Sequence, residues 1–181
     1  MKNIFVSGTL AVLVAVGAAS VALAQMPADT QFLTDIRDRK YNETLPYLLN
    51  GGTPNARDYN GVPALVAAAE IGDAGMLKEL LKYGANPNIR SKVDNATALH
   101  KAAARGSEPM IALLVVDGAL IDPEDKLGET PLIKAVKEGH VQAVRRLLSV
   151  EANPNQSDYS GYSAYDHAMR SRDRRMKDLF K

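Results

Sequence analysis

The sequence predicts an all-α fold, a one-dimensional stack of helix-turn-helix units joined by short hairpin-like loops. Three observations predict it. First, residues 127–140, LGETPLIKAVKEGH, reappear in altered form at 60–73 (NGVPALVAAAEIGD), 94–107 (DNATALHKAAARGS) and 160–173 (SGYSAYDHAMRSRD), a period of 33–34 residues. A fixed period in that range marks a stacked-repeat architecture. Second, apolar residues within a unit fall at helical spacing, as at Leu132, Ala135 and Val136 and again at Val144, Leu147 and Leu148. Third, glycines punctuate each unit at constant register: Gly72, Gly106 and Gly139 in mid-unit, then Gly84 and Gly118, with Glu151 in the third unit's place.

The N-terminal segment is of another kind. Residues 1–24 have one early cation, Lys2, then an uncharged apolar run that ends Ala22-Leu23-Ala24 before Gln25. A basic start, an apolar stretch and an A-x-A site make a Sec-type signal peptide cleaved to leave residues 25–181. An uncleaved anchor is the alternative, disfavoured by the glycines, serines and alanines that thin the run. No twin arginine is present. Removing Lys2 takes the 22 basic side chains to 21, against 21 acidic ones. A balanced charge gives no global pull toward nucleic acid or membrane. The chain contains no cysteine, which excludes disulfides, thiol catalysis and zinc–thiolate sites. Export without cysteines points to a bacterial periplasm or a secreted protein.

Residues 29–57 form a divergent opening unit, where GGTPNARD echoes the later GANPNIRS. Repeats follow at 58–90, 92–124 and 125–157, and a capping unit at 158–181. In the third repeat Thr130 supplies an N-cap oxygen and Pro131 takes the first helical position, where its missing N–H costs nothing. The small residues Ala67, Ala68, Ala102, Ala103 and Ala135 let neighbouring helices approach closely. Asn95 replaces the turn glycine of the sister units (Gly61, Gly128, Gly161) and is expected to be left-handed. Ser91 reads as the inserted residue of the longer period. Glu151, in a helix-ending glycine position, is expected to be left-handed and strained. Terminal units need polar outer faces, and Asp35, Arg37, Asp38, Arg39 and Lys40 at the front and RSRDRRMKDLFK at the back fit that need.

The pattern Asp-x-x-Gly-x-Thr-Pro-Leu, two alanines, Gly-His, a Leu-Leu pair and Gly-Ala-x-x-Asn resembles the ankyrin repeat, over about residues 29–181. GETPL, Gly139-His140 and ANPN carry it best. The resemblance implies that His100 belongs to a turn hydrogen-bond network and that His140 starts a helix. His167 falls in a third unit, and no histidine has a second ligand at metal spacing on one helix face. No GxSxG or phosphate-binding glycine loop occurs, so no cofactor, metal or catalytic residues are expected. Asp122, Glu124 and Asp125 read as a solvated loop rather than a weak calcium site. The C-terminal run Arg170, Arg172, Arg174, Arg175, Lys177 and Lys181 is interrupted by Asp173 and Asp178 and reads as a cap rather than a nucleic-acid or lipid site.

The resemblance further implies a cupped stack that binds proteins through hairpin tips and the concave face of each first helix. By register these are Tyr59, Asn60, Val62, Glu70 and Ile71 in the first repeat. The second supplies Val93, Asp94, Ala96, Ala104 and Arg105, and the third Lys126, Leu127, Glu129, Lys137 and Glu138. Tyr159, Ser160, Tyr162 and Arg170 come from the last unit. Tyrosine and arginine are favoured at binding hot spots, although tip tyrosines can also simply shield a turn. The expected function is an exported, monomeric, non-enzymatic scaffold for a periplasmic or envelope protein, which it protects, assists or neutralises as an immunity protein does. It contacts no nucleic acid and no membrane once the signal is removed. The alternative is a secreted effector that binds a host protein.

Overall fold

The structure, a computed structural model, describes residues 28–181; the signal segment lies outside the described residues. Among the described residues ten helices pair into five units: α1 (Ala28–Arg37) with α2 (Tyr41–Leu49), α3 (Ala64–Ile71) with α4 (Ala74–Lys82), α5 (Ala98–Ala104) with α6 (Glu108–Val116), α7 (Pro131–Lys137) with α8 (Val141–Ser149), and α9 (Ala164–Arg170) with α10 (Arg174–Asp178). First helices pack in the order α1, α3, α5, α7, α9, and second helices α4, α6, α8 pack behind them. The core is a ladder of equivalent residues. Leu65, Leu99 and Leu132 are buried, and the alanines Ala67, Ala68, Ala102, Ala103 and Ala135 are wholly so, which is why the first helices can sit side by side.

Three of the units begin with a hairpin turn built by one aspartate. The Asp58 Oδ1 accepts the N–H groups of Asn60 and Val62, both at 2.9 Å. Asp125 does the same for Leu127 and Glu129, at 2.8 and 3.0 Å, and Asp158 for Ser160 and Tyr162, at 2.9 and 3.1 Å. Such Asx turns satisfy backbone donors without a strand partner. Successive tips are also tied to one another. Lys92 N–H donates to the Gly61 carbonyl, Lys126 N–H to that of Asp94, and Tyr159 N–H to that of Leu127. No strand longer than an isolated bridge occurs among the described residues.

Most of the helix signals act as expected. Thr130 Oγ1 accepts the Ile133 N–H and Pro131 opens α7. Asn95 and Glu151 are left-handed, with φ of 59° and 64°. Three expectations need correction. Ser91 is not the inserted residue. It stands where Asp58, Asp125 and Asp158 stand, accepting the Val93 N–H on Oγ at 3.1 Å. Its N–H reaches the Ala96 carbonyl, five residues on, where Asp58 pairs with Val62, four on. The extra residue therefore lies within the tip, and the second repeat starts at Ser91 rather than Lys92. Asp35, expected in the polar front, is buried, because Gln31 donates to it at 2.8 Å and Lys40 approaches to 3.6 Å. Arg39 is a third left-handed residue that the sequence did not flag, with φ of 58°.

Candidate protein-binding surface

The tips and first helices present two kinds of side chain. Tyr59, Val93, Leu127 and Tyr159 project from four successive tips and are 83%, 54%, 60% and 73% exposed. Tyr59 and Tyr159 follow their turn aspartates by one residue, and Val93 and Leu127 follow Ser91 and Asp125 by two; the turn side chains and the tip-to-tip hydrogen bonds fix their backbones, so each large apolar group stands on a rigid base. Monomeric surfaces rarely align exposed apolar groups in this way without a binding role.

Behind the row runs a ladder of ion pairs. Lys101 on α5 holds Asp94 at 2.7 Å and Glu70 at 3.4 Å. Lys134 on α7 holds Asp125 at 2.8 Å and also pairs with Glu129, which Lys137 meets from the other side. His167 on α9 reaches Asp158 at 3.1 Å. The first repeat has Ala67 at this register, and its Asp58 is met instead by Arg37 from the opening unit, at 2.6 Å. Burial pushes the carboxyls of Asp94, Asp125 and Glu129 up, but the lysine ammonium groups, joined at Asp94 and Asp125 by backbone amides, outweigh it and hold all three below the usual range. Burial would lower Lys134, yet the two carboxylates raise it instead. These pairs set the tips against the helices; they were legible as the 33-residue recurrence Lys101, Lys134, His167.

Several side chains expected on the surface are elsewhere. Val62, Ala96 and Glu129, 8%, 2% and 3% exposed, share one register position, the last residue of the turn, and in these three repeats it faces inward, whereas Tyr162 at the same position of the capping unit is exposed. Glu129 is accommodated there only because its two lysines accompany it. Ile71 is half-buried and packs on the core. The remaining residues stay on the face. Asn60 and Glu70 are exposed, and Asp94 is half-buried under Lys101. Arg105 donates to the Glu70 carbonyl at 2.9 Å, and the Lys126 ammonium reaches the carbonyls of Lys92 and Val93. Tyr162 is 37% exposed, with the Arg170 guanidinium 3.9 Å from its ring centroid. Lys92, which the sequence reading passed over, is exposed beside Val93.

The histidines are structural in geometry. Thr97 N–H donates to His100 Nδ1 at 3.1 Å, so the ring hydrogen sits on Nε2 and donates to the Glu129 carbonyl at 3.0 Å. His140 Nε2 meets the Ala104 carbonyl at 3.0 Å. Among the described residues no cluster of histidines and carboxylates is placed to hold a metal ion, and no helix is long and apolar enough to cross a membrane.

The family model for ankyrin repeats in three copies matches residues 36–125 and 113–179. Among curated relatives, human Ankyrin repeat and SOCS box protein 6 is 38% identical over 112 residues, 61% of this chain and 27% of that protein. Protein PhlB of Serratia liquefaciens is 36% identical over 115 residues, 64% of this chain and 44% of that protein. Glycerophosphocholine phosphodiesterase gde1 of Schizosaccharomyces pombe is 32% identical over 132 residues, 71% of this chain but 12% of that protein. The matched region thus spans between 12% and 44% of the length of these relatives, and the likeness lies in the repeats.

Proposed function

We propose that this chain, which belongs to the ankyrin repeat family, is an exported, non-enzymatic scaffold that binds a periplasmic or envelope protein through its tips and first helices. By occupying that partner it protects, assists or neutralises it, the last in the manner of an immunity protein. The observation that carries the reading is the group Tyr59, Val93, Leu127 and Tyr159, one large apolar side chain exposed on each of four successive tips whose backbone is already held. A pre-organised apolar row loses little conformational entropy on binding, which favours affinity. On the face, Lys101, Lys134 and Lys137 make ion pairs and Arg105 and Lys126 make carbonyl contacts that position turns, a supporting rather than a chemical role.

The test is affinity capture from an envelope extract with the tagged chain, followed by mass spectrometry. The wild type should retain a protein that a Tyr59→Ala/Tyr159→Ala variant loses while keeping its melting temperature. Equal retention by both would remove the tips from the interface and with them this reading. Export is checked separately: the periplasmic chain should begin at Gln25 or its cyclised form. Intact residues 1–24 on a membrane-bound chain would contradict it, and recovery of the mature chain from the medium would instead favour the secreted effector with a host partner.

A further inference from the structure

The clamps that tie the last three tips to their helices differ at one position. Where α5 and α7 carry Lys101 and Lys134, α9 carries His167 at the same register. Lys101 holds Asp94 at 2.7 Å and Lys134 holds Asp125 at 2.8 Å. His167 Nε2 lies 3.1 Å from Asp158 Oδ2. A lysine stays charged throughout the physiological range, whereas a histidine changes charge between about pH 5 and 8. Of these three clamps, the last is the one that pH alters.

Its carboxylate partner stays ionised in that window. Burial pushes the Asp158 carboxyl up, but His167 and the N–H groups of Tyr162 and Ser160 outweigh it and hold it below the usual range. The two oxygens divide the work. Oδ1 accepts the Ser160 and Tyr162 N–H groups, and Oδ2 meets the imidazole. The Tyr162 ring lies edge-on to the His167 ring at 5.8 Å, with the Arg170 guanidinium 3.9 Å from its centroid.

The other charged groups on the surrounding elements keep their charge in that window. On α9, Asp166 accepts the N–H and hydroxyl of Ser163. On α7, which packs against α9, Lys134 and Lys137 are taken by Asp125 and Glu129. On α10, Arg174 pairs with Asp178 and Arg175 with Asp173, and Lys177 makes no ion pair with Asp158 among the described residues.

We infer that His167 makes the fourth tip, Asp158–Tyr162, responsive to pH: protonated, it clamps the tip to α9, and as the pH rises and its charge is lost the tip loosens. The display of Tyr159 and Tyr162 loosens with it, since Tyr159 follows Asp158 directly and Tyr162 lies against the imidazole. This regulates the proposed binding face and rests on that reading. A neutral imidazole donates to Asp158 only in its Nε2–H tautomer, and a hydrogen bond with charge on both partners is roughly twice as strong as a neutral one.

The test is hydrogen exchange of the purified chain, read by mass spectrometry as protection over the unstructured rate at each pH. Protection of the Asp158–Tyr162 tip is taken relative to the Asp125–Glu129 tip, whose lysine clamp does not titrate. Between about pH 5.5 and about pH 8, that ratio should fall at least about threefold in the wild type. His167→Lys, which extends the lysine ladder, should keep the ratio high at both values, and His167→Gln should keep it low at both. An unchanged wild-type ratio, a fall that persists in His167→Lys, or a His167→Gln tip as protected as the lysine variant would each overturn the proposal. The wild-type comparison decides the matter even where a variant fails to fold. No partner is needed: if exchange fails to respond, the capture result is untouched, and if capture through the tips fails while exchange responds, the broader reading falls and the clamp stands.

Discussion

Glu151 holds a side chain at a register position that Gly51, Gly84 and Gly118 occupy in the other units, all at φ near 85°. Nothing crowds that site in the sister glycines, so the cost is purely the left-handed backbone, about 1–2 kcal/mol for an L side chain. Glycine gives back some of this through unfolded-state entropy. Glu151→Gly should therefore raise stability by about 1 kcal/mol, read as a higher denaturant midpoint at unchanged slope. His100 makes the second residue-scale prediction. Burial is the main cause that lowers its pKa from 6.5 to about 4, and the Thr97 N–H already occupies the nitrogen that would take the proton. The folded state thus resists protonation that the unfolded state accepts. Stability is fully present above pH 6.5 and is lost as pH falls toward 4. The gap is worth about 3 kcal/mol. Denaturant midpoints of the wild type should drop through that window, and those of His100→Gln should drop less; parallel curves would mean that His100 is not the group responsible.

At the scale of the element, the first helices bear the stack and the tips are attached to them. Leu99 in α5 and Leu132 in α7 are wholly buried, and truncating either to alanine should cost about 2–5 kcal/mol through the cavity left behind. A loss below about 1 kcal/mol would place those side chains outside the load of the array. The helices were readable in the sequence because one period sets their caps, leucines and alanines together. Less readable was the inside of a turn. Counting from the turn glycine puts Val62, Ala96 and Glu129 on the surface, because the period does not carry the direction in which the last turn residue faces. A glutamate in that row is a misleading signal on its own, and only the positions of Lys134 and Lys137 explain its burial. Gly128 shows a related point: its φ of 74° needs glycine, and a Cβ there would meet the Tyr159 ring at 2.4 Å. A tyrosine counted as a free tip side chain therefore rests one flank on the preceding repeat.

Across the whole molecule, the stack separates support from display. Leucines and alanines bury the first helices, ion pairs from Lys101 and Lys134 and the His167–Asp158 hydrogen bond fix the last three tips to their helices, and only the outermost side chains are left for a partner. The repeat order was legible because every unit restates it. The ion-pair ladder is equally periodic, but lysines on a helix ordinarily read as solvated, so its period alone does not reveal it. What the partner is does not follow from any period, because it depends on residues that vary between units. The central claim, that this one face binds a protein, is tested most directly by photocrosslinking in living cells. A photoreactive phenylalanine placed at Val93, on the second tip, should join the chain covalently to one discrete protein. The same group at Val116, 82% exposed at the end of α6, should give none. An adduct from Val116 with none from Val93 would put the interface on the second helices and contradict the account.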